Sequence, residues 1–119
     1  MITFEKVTVE NESVVKEMFK SHSLGEKKVQ YCVKVDDTYI GVIDYSVQEE
    51  RAVLSQLIIH FDYQGYGYGT NTYFTFEEMM KQRNVKEIKV LQEKLTEKAK
   101  SFIESFGFAS EDEGYVKKI

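Results

Sequence analysis

The sequence contains no proline among its 119 residues. No element boundary can therefore be read from a fixed φ or a missing N–H. It has one cysteine, Cys32, which cannot form an internal disulfide and fits a reducing compartment. No apolar run approaches the ~20 residues that a membrane-spanning helix needs. No block of lysine and arginine stands out, and the balance is mildly acidic, with 20 Asp and Glu against 16 Lys and Arg. That argues against nucleic acid and anionic membrane as main partners. The opening residues, MITFEKVTVE, lack the basic stretch followed by an apolar core that marks a secretion signal, so the cytoplasm is the expected compartment. There is no internal repeat and no low-complexity linker. Residues 1–119 read as a single domain with room for one core.

What is present is organised around residues 52–85. Ala52 to His60 carries Val53, Leu54, Leu57, Ile58 and Ile59, with apolar residues on both pleat faces, which predicts a strand buried on both sides. Gln64-Gly65-Tyr66-Gly67-Tyr68-Gly69 then interrupts it. From Thr70 a helical pattern begins, with Tyr73, Phe76 and Met80 on one face and Asn84 as a left-handed stop. A strand, a glycine turn and a helix N-terminus in this order make an anion site. Glycines let successive backbone N–H groups turn inward, and the helix dipole adds partial positive charge.

The rest of the chain supplies a sheet. Ile2 to Val9 reads as a strand whose alternation slips near Glu5-Lys6. Asn11 can cap a short helix with Val14, Val15, Met18 and Phe19 on its apolar face. Residues 21–25 read as a loop. Val29, Tyr31, Val33 and Val35 alternate with polar residues and predict a half-buried strand. Asp36-Asp37-Thr38 is a turn, and Tyr39 to Val47 is the return strand. Lys86 to Leu91 is a further strand, parallel to the central one because a helix separates the two. Leu95, Ala99, Phe102, Ile103 and Phe106 form a helical stripe that Thr96 can cap and Gly107 ends. Ser110 to Gly114 reads as a turn and Tyr115 to Ile119 as one last strand. The expected fold is a mixed α/β sheet, antiparallel at first and parallel around the glycine turn. Its order is strand, helix, three strands, helix, strand, helix, strand.

Ile59 to Gly69 resembles the acyl-CoA loop of the GNAT N-acetyltransferase superfamily. Gln64, Gly67 and Gly69 match its pattern, and Ile59 stands where the family usually has valine. Ala99 and Gly107-Phe108 fit its second signature, and the order of elements agrees over most of the chain. The resemblance implies transfer of an acetyl group from acetyl-CoA to a primary amine of a small molecule or peptide by direct attack. It implies that Leu57, Ile58 and Ile59 pair with the pantetheine arm. It further implies that Gln64, Gly65, Tyr66, Gly67, Tyr68, Gly69 and Thr70 form the cofactor loop, with amides of Gly65 to Thr70 on the pyrophosphate. An asparagine that contacts the cofactor in the family falls at Thr96. The acidic balance favours a cationic acceptor.

The departures fall on the proton machinery. The family's proline falls at Phe61. Its tyrosine proton donor aligns with Ile103, and its base positions read Ser55 or Gln56, and Leu91. The catalytic candidates left are Asp44, which shares a face with Ile40 and Val42, His60 at the end of the central strand, and Tyr115. Each has a plainer reading as an edge carboxylate, a solvent-facing histidine and a core or surface tyrosine. Glu93 reads as a solvated loop charge, and Tyr63, Tyr66 and Tyr68 as residues that pack on or cover the cofactor. Cys32 has nothing beside it to activate it. His22, Cys32 and His60 have no metal-ligand spacing, so no metal is expected. The alternative to an enzyme is a non-catalytic acyl-CoA-binding or interaction module. The shortened C-terminal strands leave an edge on which a second copy could pair.

Overall fold

The computed structural model describes residues 1–18, 30–91, 95–111 and 113–119. The predicted Phe19, residues 21–25 with His22, Val29 and Glu93 lie outside the described residues. The elements are β1 (Ile2–Lys6), α1 (Glu12–Met18), β2 (Tyr31–Val35), β3 (Thr38–Gln48), β4 (Arg51–Ile59), a 3-10 turn (Phe61–Tyr63), α2 (Tyr68–Gln82), β5 (Glu87–Leu91), α3 (Glu97–Glu104), β6 (Ala109–Glu111) and β7 (Gly114–Lys118). The strands are hydrogen-bonded in the order β1-β2-β3-β4-β5-β7-β6. The expected mixed sheet is therefore present, with an antiparallel N-terminal part and a parallel β4–β5 pair. The single strand expected at the end is instead an antiparallel hairpin, because Ala109 to Glu111 registers against Val116 to Gly114. Among the described residues, no helix is long and apolar enough to cross a membrane. The chain divides into two compact units.

The first unit is Met1–Asp44 with Gln56–Phe76. β1 pairs with β2 from Ile2↔Val35 to Lys6↔Tyr31, and β2 with β3 from Tyr31↔Ile43 to Val35↔Thr38. β1 stops at Lys6, where the sequence alternation slips, and Asn11 fixes that end. Its side chain accepts a hydrogen bond from Thr8 N–H at 2.7 Å and donates one to the Lys6 carbonyl at 3.1 Å. Asn11 holds the expected position ahead of α1, since its carbonyl accepts from Val15 N–H at 3.2 Å, but its side chain turns back to the strand. α1 buries Val15 against Cys32 and Val42, with Val7, Met18, Tyr39 and Ile58 around them. Burying a valine of this kind contributes about 1.5–3 kcal/mol. Val14, expected on the same face, is 46% exposed, because a seven-residue helix buries only a narrow stripe. β2 is buried on both faces at Cys32 and Val33 rather than on one. Gly41 lets β3 approach β4 closely: a Cβ there would stand 2.4 Å from the Ile58 carbonyl oxygen.

The second unit is Tyr45–Ser55 with Glu77–Ile119. Here β4 pairs in parallel with β5 from Arg51↔Glu87 to Leu54↔Val90, and β5 pairs with β7. Ala52, Leu54, Ile88 and Val90 are buried. Val53 is only half-buried, against the expectation of burial on both sides, because it lines a groove of about 550 Å³ with Ser46, Arg51 and Lys89. Beyond Gln82, α2 is stopped by Asn84, whose φ is +63°. Val85 N–H returns to the Met80 carbonyl at 3.0 Å and Asn84 N–H to the Lys81 carbonyl at 3.0 Å, the paired bonds of a left-handed helix stop. Glu77 is buried on α2 and takes Lys117 and Lys81 as cationic partners. No local pattern signals the first of these pairings, because Lys117 lies 40 residues along the chain from Glu77.

Candidate functional site

Everything the cofactor-loop reading needs, Thr96 apart, lies in the first unit. His60 N–H donates to the Ile40 carbonyl at 2.8 Å, which sets the edge of β4 that faces β3. Successive residues of an extended strand alternate their hydrogen-bonding edges. Leu57 and Ile59 therefore turn their N–H and C=O groups away from β3. The register of β4 with β5 ends at Leu54↔Val90, while β4 runs on to Ile59. An extended ligand arm added at that edge would meet Leu57 and Ile59; Ile58 faces the other way.

The strand then breaks into the 3-10 turn, which the sequence reading did not separate from the loop. His60 begins it: its Nδ1 accepts from Asp62 N–H at 3.1 Å and lies 3.6 Å from the Asp62 carboxylate. Gln64 ends it. Its side-chain amide donates to the Ile59 carbonyl at 2.8 Å, closing the turn back onto the end of β4. Gln64 thus acts on the loop through its shape.

Two glycines follow in the left-handed region, Gly65 at φ +88° and Gly67 at φ +82°. Among the described residues, and apart from its chain neighbours, a Cβ on either would meet nothing within 4 Å. The glycines are required by backbone conformation and not by crowding, and the space above them is open. The Gly67 carbonyl accepts from Asn71 N–H at 3.0 Å. Gly67 therefore stands immediately before α2, which starts at Tyr68, two residues ahead of the expected Thr70. The residue that would normally cap this helix has no side chain. The N–H groups of the first turn, Tyr68, Gly69 and Thr70, point toward the loop without a side-chain acceptor from that position.

Rings surround this backbone. His60 lies 6.1 Å from Phe61 and 6.2 Å from Tyr63 between centroids, Tyr63 lies 6.5 Å from Tyr68, and Tyr68 lies 6.3 Å from Tyr66. His60 also lines a groove of about 550 Å³ together with Val14, Glu17, Met18, Asp62 and Tyr63.

The other candidates are each committed elsewhere. Asp44 accepts from Gln30 N–H at 2.6 Å and also bonds Tyr31 N–H. Burial pushes its carboxyl above the usual range, and those two N–H groups oppose the shift. Tyr115, in the second unit, is buried and donates to Glu104 at 3.1 Å. Burial, with that hydrogen bond, raises its phenol. Thr96, also in the second unit, caps α3 by accepting from Ala99 N–H at 3.1 Å. Burial pushes the Cys32 thiol up to about 11, so it is no nucleophile at neutral pH. Among the described residues, no group of His, Cys, Asp and Glu could hold a metal ion.

The sequence model of the acetyltransferase (GNAT) family matches residues 3–108. The chain belongs to that family. Its solved relatives share the fold at low identity. An acetyltransferase from Thermus thermophilus is 18% identical with a TM-score of 0.80, over 100% of this chain and 97% of that one. The PaiA N-acetyltransferase of Thermoplasma acidophilum, solved in complex with coenzyme A, is 16% identical with a TM-score of 0.72, over 100% and 99%. Arabidopsis thaliana Naa50, solved with the bisubstrate analogue CoA-Ac-MVNAL, is 19% identical with a TM-score of 0.69, over 97% and 95%. No curated protein matches the sequence significantly. The GNAT match contains the whole stretch from β4 through α2, and it ends at Phe108, before the β6–β7 hairpin.

Proposed function

We propose that the protein transfers an acetyl group from acetyl-CoA to a primary amine. The observation that carries this reading is the bare loop: two left-handed glycines under open space, followed by a helix whose capping position is glycine. A diphosphate needs several donors at once, and backbone amides converging on a helix N-terminus supply them. Amides of Gly65 to Thr70 would hold the pyrophosphate. The edge groups of Leu57 and the N–H of Ile59, whose carbonyl accepts from Gln64, would receive the pantetheine arm as a short added strand. That edge also brings the thioester against a backbone donor able to polarise its carbonyl.

The reaction then asks little of side chains. The amine nitrogen attacks the thioester carbon, the C–N bond forms, the C–S bond breaks, and the proton lost by nitrogen balances the departing thiolate. A thiol of pKa ~8.5 leaves without a strong acid, whereas an amine near ~10.4 must first lose a proton. A general base contributes about 10²–10⁴-fold. His60 is the candidate nearest the loop, but its Nδ1 already serves Asp62 N–H. The acceptor is a cationic amine, a reading supported by the net charge of −4 and by Glu17 and Asp62 on the groove beside His60.

A second reading is favoured by the commitments of the ionisable groups. Asp44 serves two backbone N–H groups, and Tyr115 is bound to Glu104. That is the pattern of a module that binds acyl-CoA without turning it over. The two readings separate when the protein is incubated with acetyl-CoA and a panel of primary amines while thiol release and binding are followed. Amine-dependent thiol release is the result expected of the enzyme. Binding with no release on any amine supports the module, and absence of binding rejects both.

A further inference from the structure

We infer that Tyr66 is the base-stacking platform of this site, receiving the adenine ring of the coenzyme. The inference rests on the cofactor reading above and adds a residue-level role to it. Tyr66 sits between the two left-handed glycines and is 73% exposed. The other two tyrosines of the loop, Tyr63 and Tyr68, are half-buried. Tyr68 is the ring next to Tyr66, tilted 48° at 6.3 Å between centroids, and Tyr63 lies 6.5 Å from Tyr68 in turn. The outermost ring thus has one aromatic neighbour and is largely open to solvent.

An aromatic ring held in water contributes little burial to folding. A nucleoside base covering it recovers that area, with stacking added. The position is right for this use. A diphosphate held by the amides flanking Tyr66 is separated from its base by one ribose, about the reach of a tyrosine side chain. Apart from their chain neighbours, no described residue comes within 4 Å of where the Cβ atoms of Gly65 and Gly67 would be, so no described residue from elsewhere in the chain crowds the two glycines. The phenol OH is not needed for stacking, so the ring is the functional part.

The test compares two ligands by titration calorimetry. Coenzyme A carries the adenine; 4′-phosphopantetheine has the arm and one phosphate but no nucleoside. Tyr66→Ala should weaken coenzyme A by roughly 5- to 150-fold, the range that loss of one base–aromatic stack produces. It should leave 4′-phosphopantetheine within about twofold, and Tyr66→Phe should bind both ligands like the parent protein. An equal loss for both ligands in Tyr66→Ala would mean that the ring only shapes the loop, and would overturn the inference. So would unchanged coenzyme A affinity. A parent protein that binds neither ligand removes the cofactor reading itself, and this inference with it.

Discussion

Helices α2 and α3 begin in opposite ways. α3 starts behind Thr96, whose hydroxyl accepts from Ala99 N–H at 3.1 Å, and Glu97 adds an acidic residue to its first turn. α2 starts behind Gly67, which has no side chain, and its first turn has no acidic residue. Both helices generate unsatisfied N–H groups and a positive end, as any helix must. In α3 the chain consumes them locally. In α2 it leaves them facing an open loop whose two left-handed glycines bare the backbone. A helix start finished by its own sequence contributes stability, whereas one left unfinished is available to a ligand.

The largest effect should come from closing the unfinished start. In Gly67→Val a β-branched residue must take up φ +82°, which costs of order 1–3 kcal/mol and moves the loop amides. Coenzyme A affinity should fall about 100-fold or more, since several charge-assisted hydrogen bonds, each about 1.5–3 kcal/mol, go together. Calorimetry with the purified variant checks this. Unchanged affinity would mean that the anion site lies elsewhere.

The finished start should respond in stability instead. Thr96→Ala should lose about 1 kcal/mol in urea unfolding, within the usual 0.5–2 kcal/mol for a lost cap. Coenzyme A affinity should stay within about twofold, because the hydroxyl is engaged by Ala99. A large loss of affinity at full stability would give Thr96 the cofactor contact that the family resemblance implies, and would erase the contrast between the two helices.

The smallest effect concerns Asp44, whose carboxylate satisfies two backbone N–H groups at the start of β2 much as Thr96 does at α3. Burial raises its pKa above the unfolded value. The folded state therefore holds this proton more tightly, and the contribution of Asp44 to stability falls as pH rises through the window from the unfolded carboxylate pKa, ~3.9, up to the raised folded one. Across that window the stability of Asp44→Asn should fall less, or rise more, with pH than that of the parent. An unaltered slope would show that Asp44 titrates as it does in the unfolded chain.

Much of this architecture could be read from residues close together in sequence. Asn84 as the stop of α2 and Thr96 as the cap of α3 are local chemistry, and each is where the pattern placed it; α3 closes at Ser105, two residues before the left-handed Gly107 that the pattern gave as its end. The glycine loop was legible for the same reason, since its motif fits within eleven residues. The 3-10 turn and the early start of α2 were not, because Gln64 reaches back to Ile59 and Gly67 carries the first helical carbonyl. Tyrosine and glycine propensities do not encode either bond.

The sequence alone determined the family, the order of most elements and the place of the glycine loop. These follow from periodicity, capping and backbone freedom, which act over a few residues. Only the tertiary structure decided which edge of β4 turns away from β3 and which glycine admits a close strand. It also decided which ionisable groups are already bound. Gly41 needs the Ile58 carbonyl before its role exists, Asp44 needs the N–H groups of Gln30 and Tyr31, and Tyr115 needs Glu104. Hydrogen bonding and exclusion are short-ranged in space, so partners distant in sequence become visible only when the chain has brought them together.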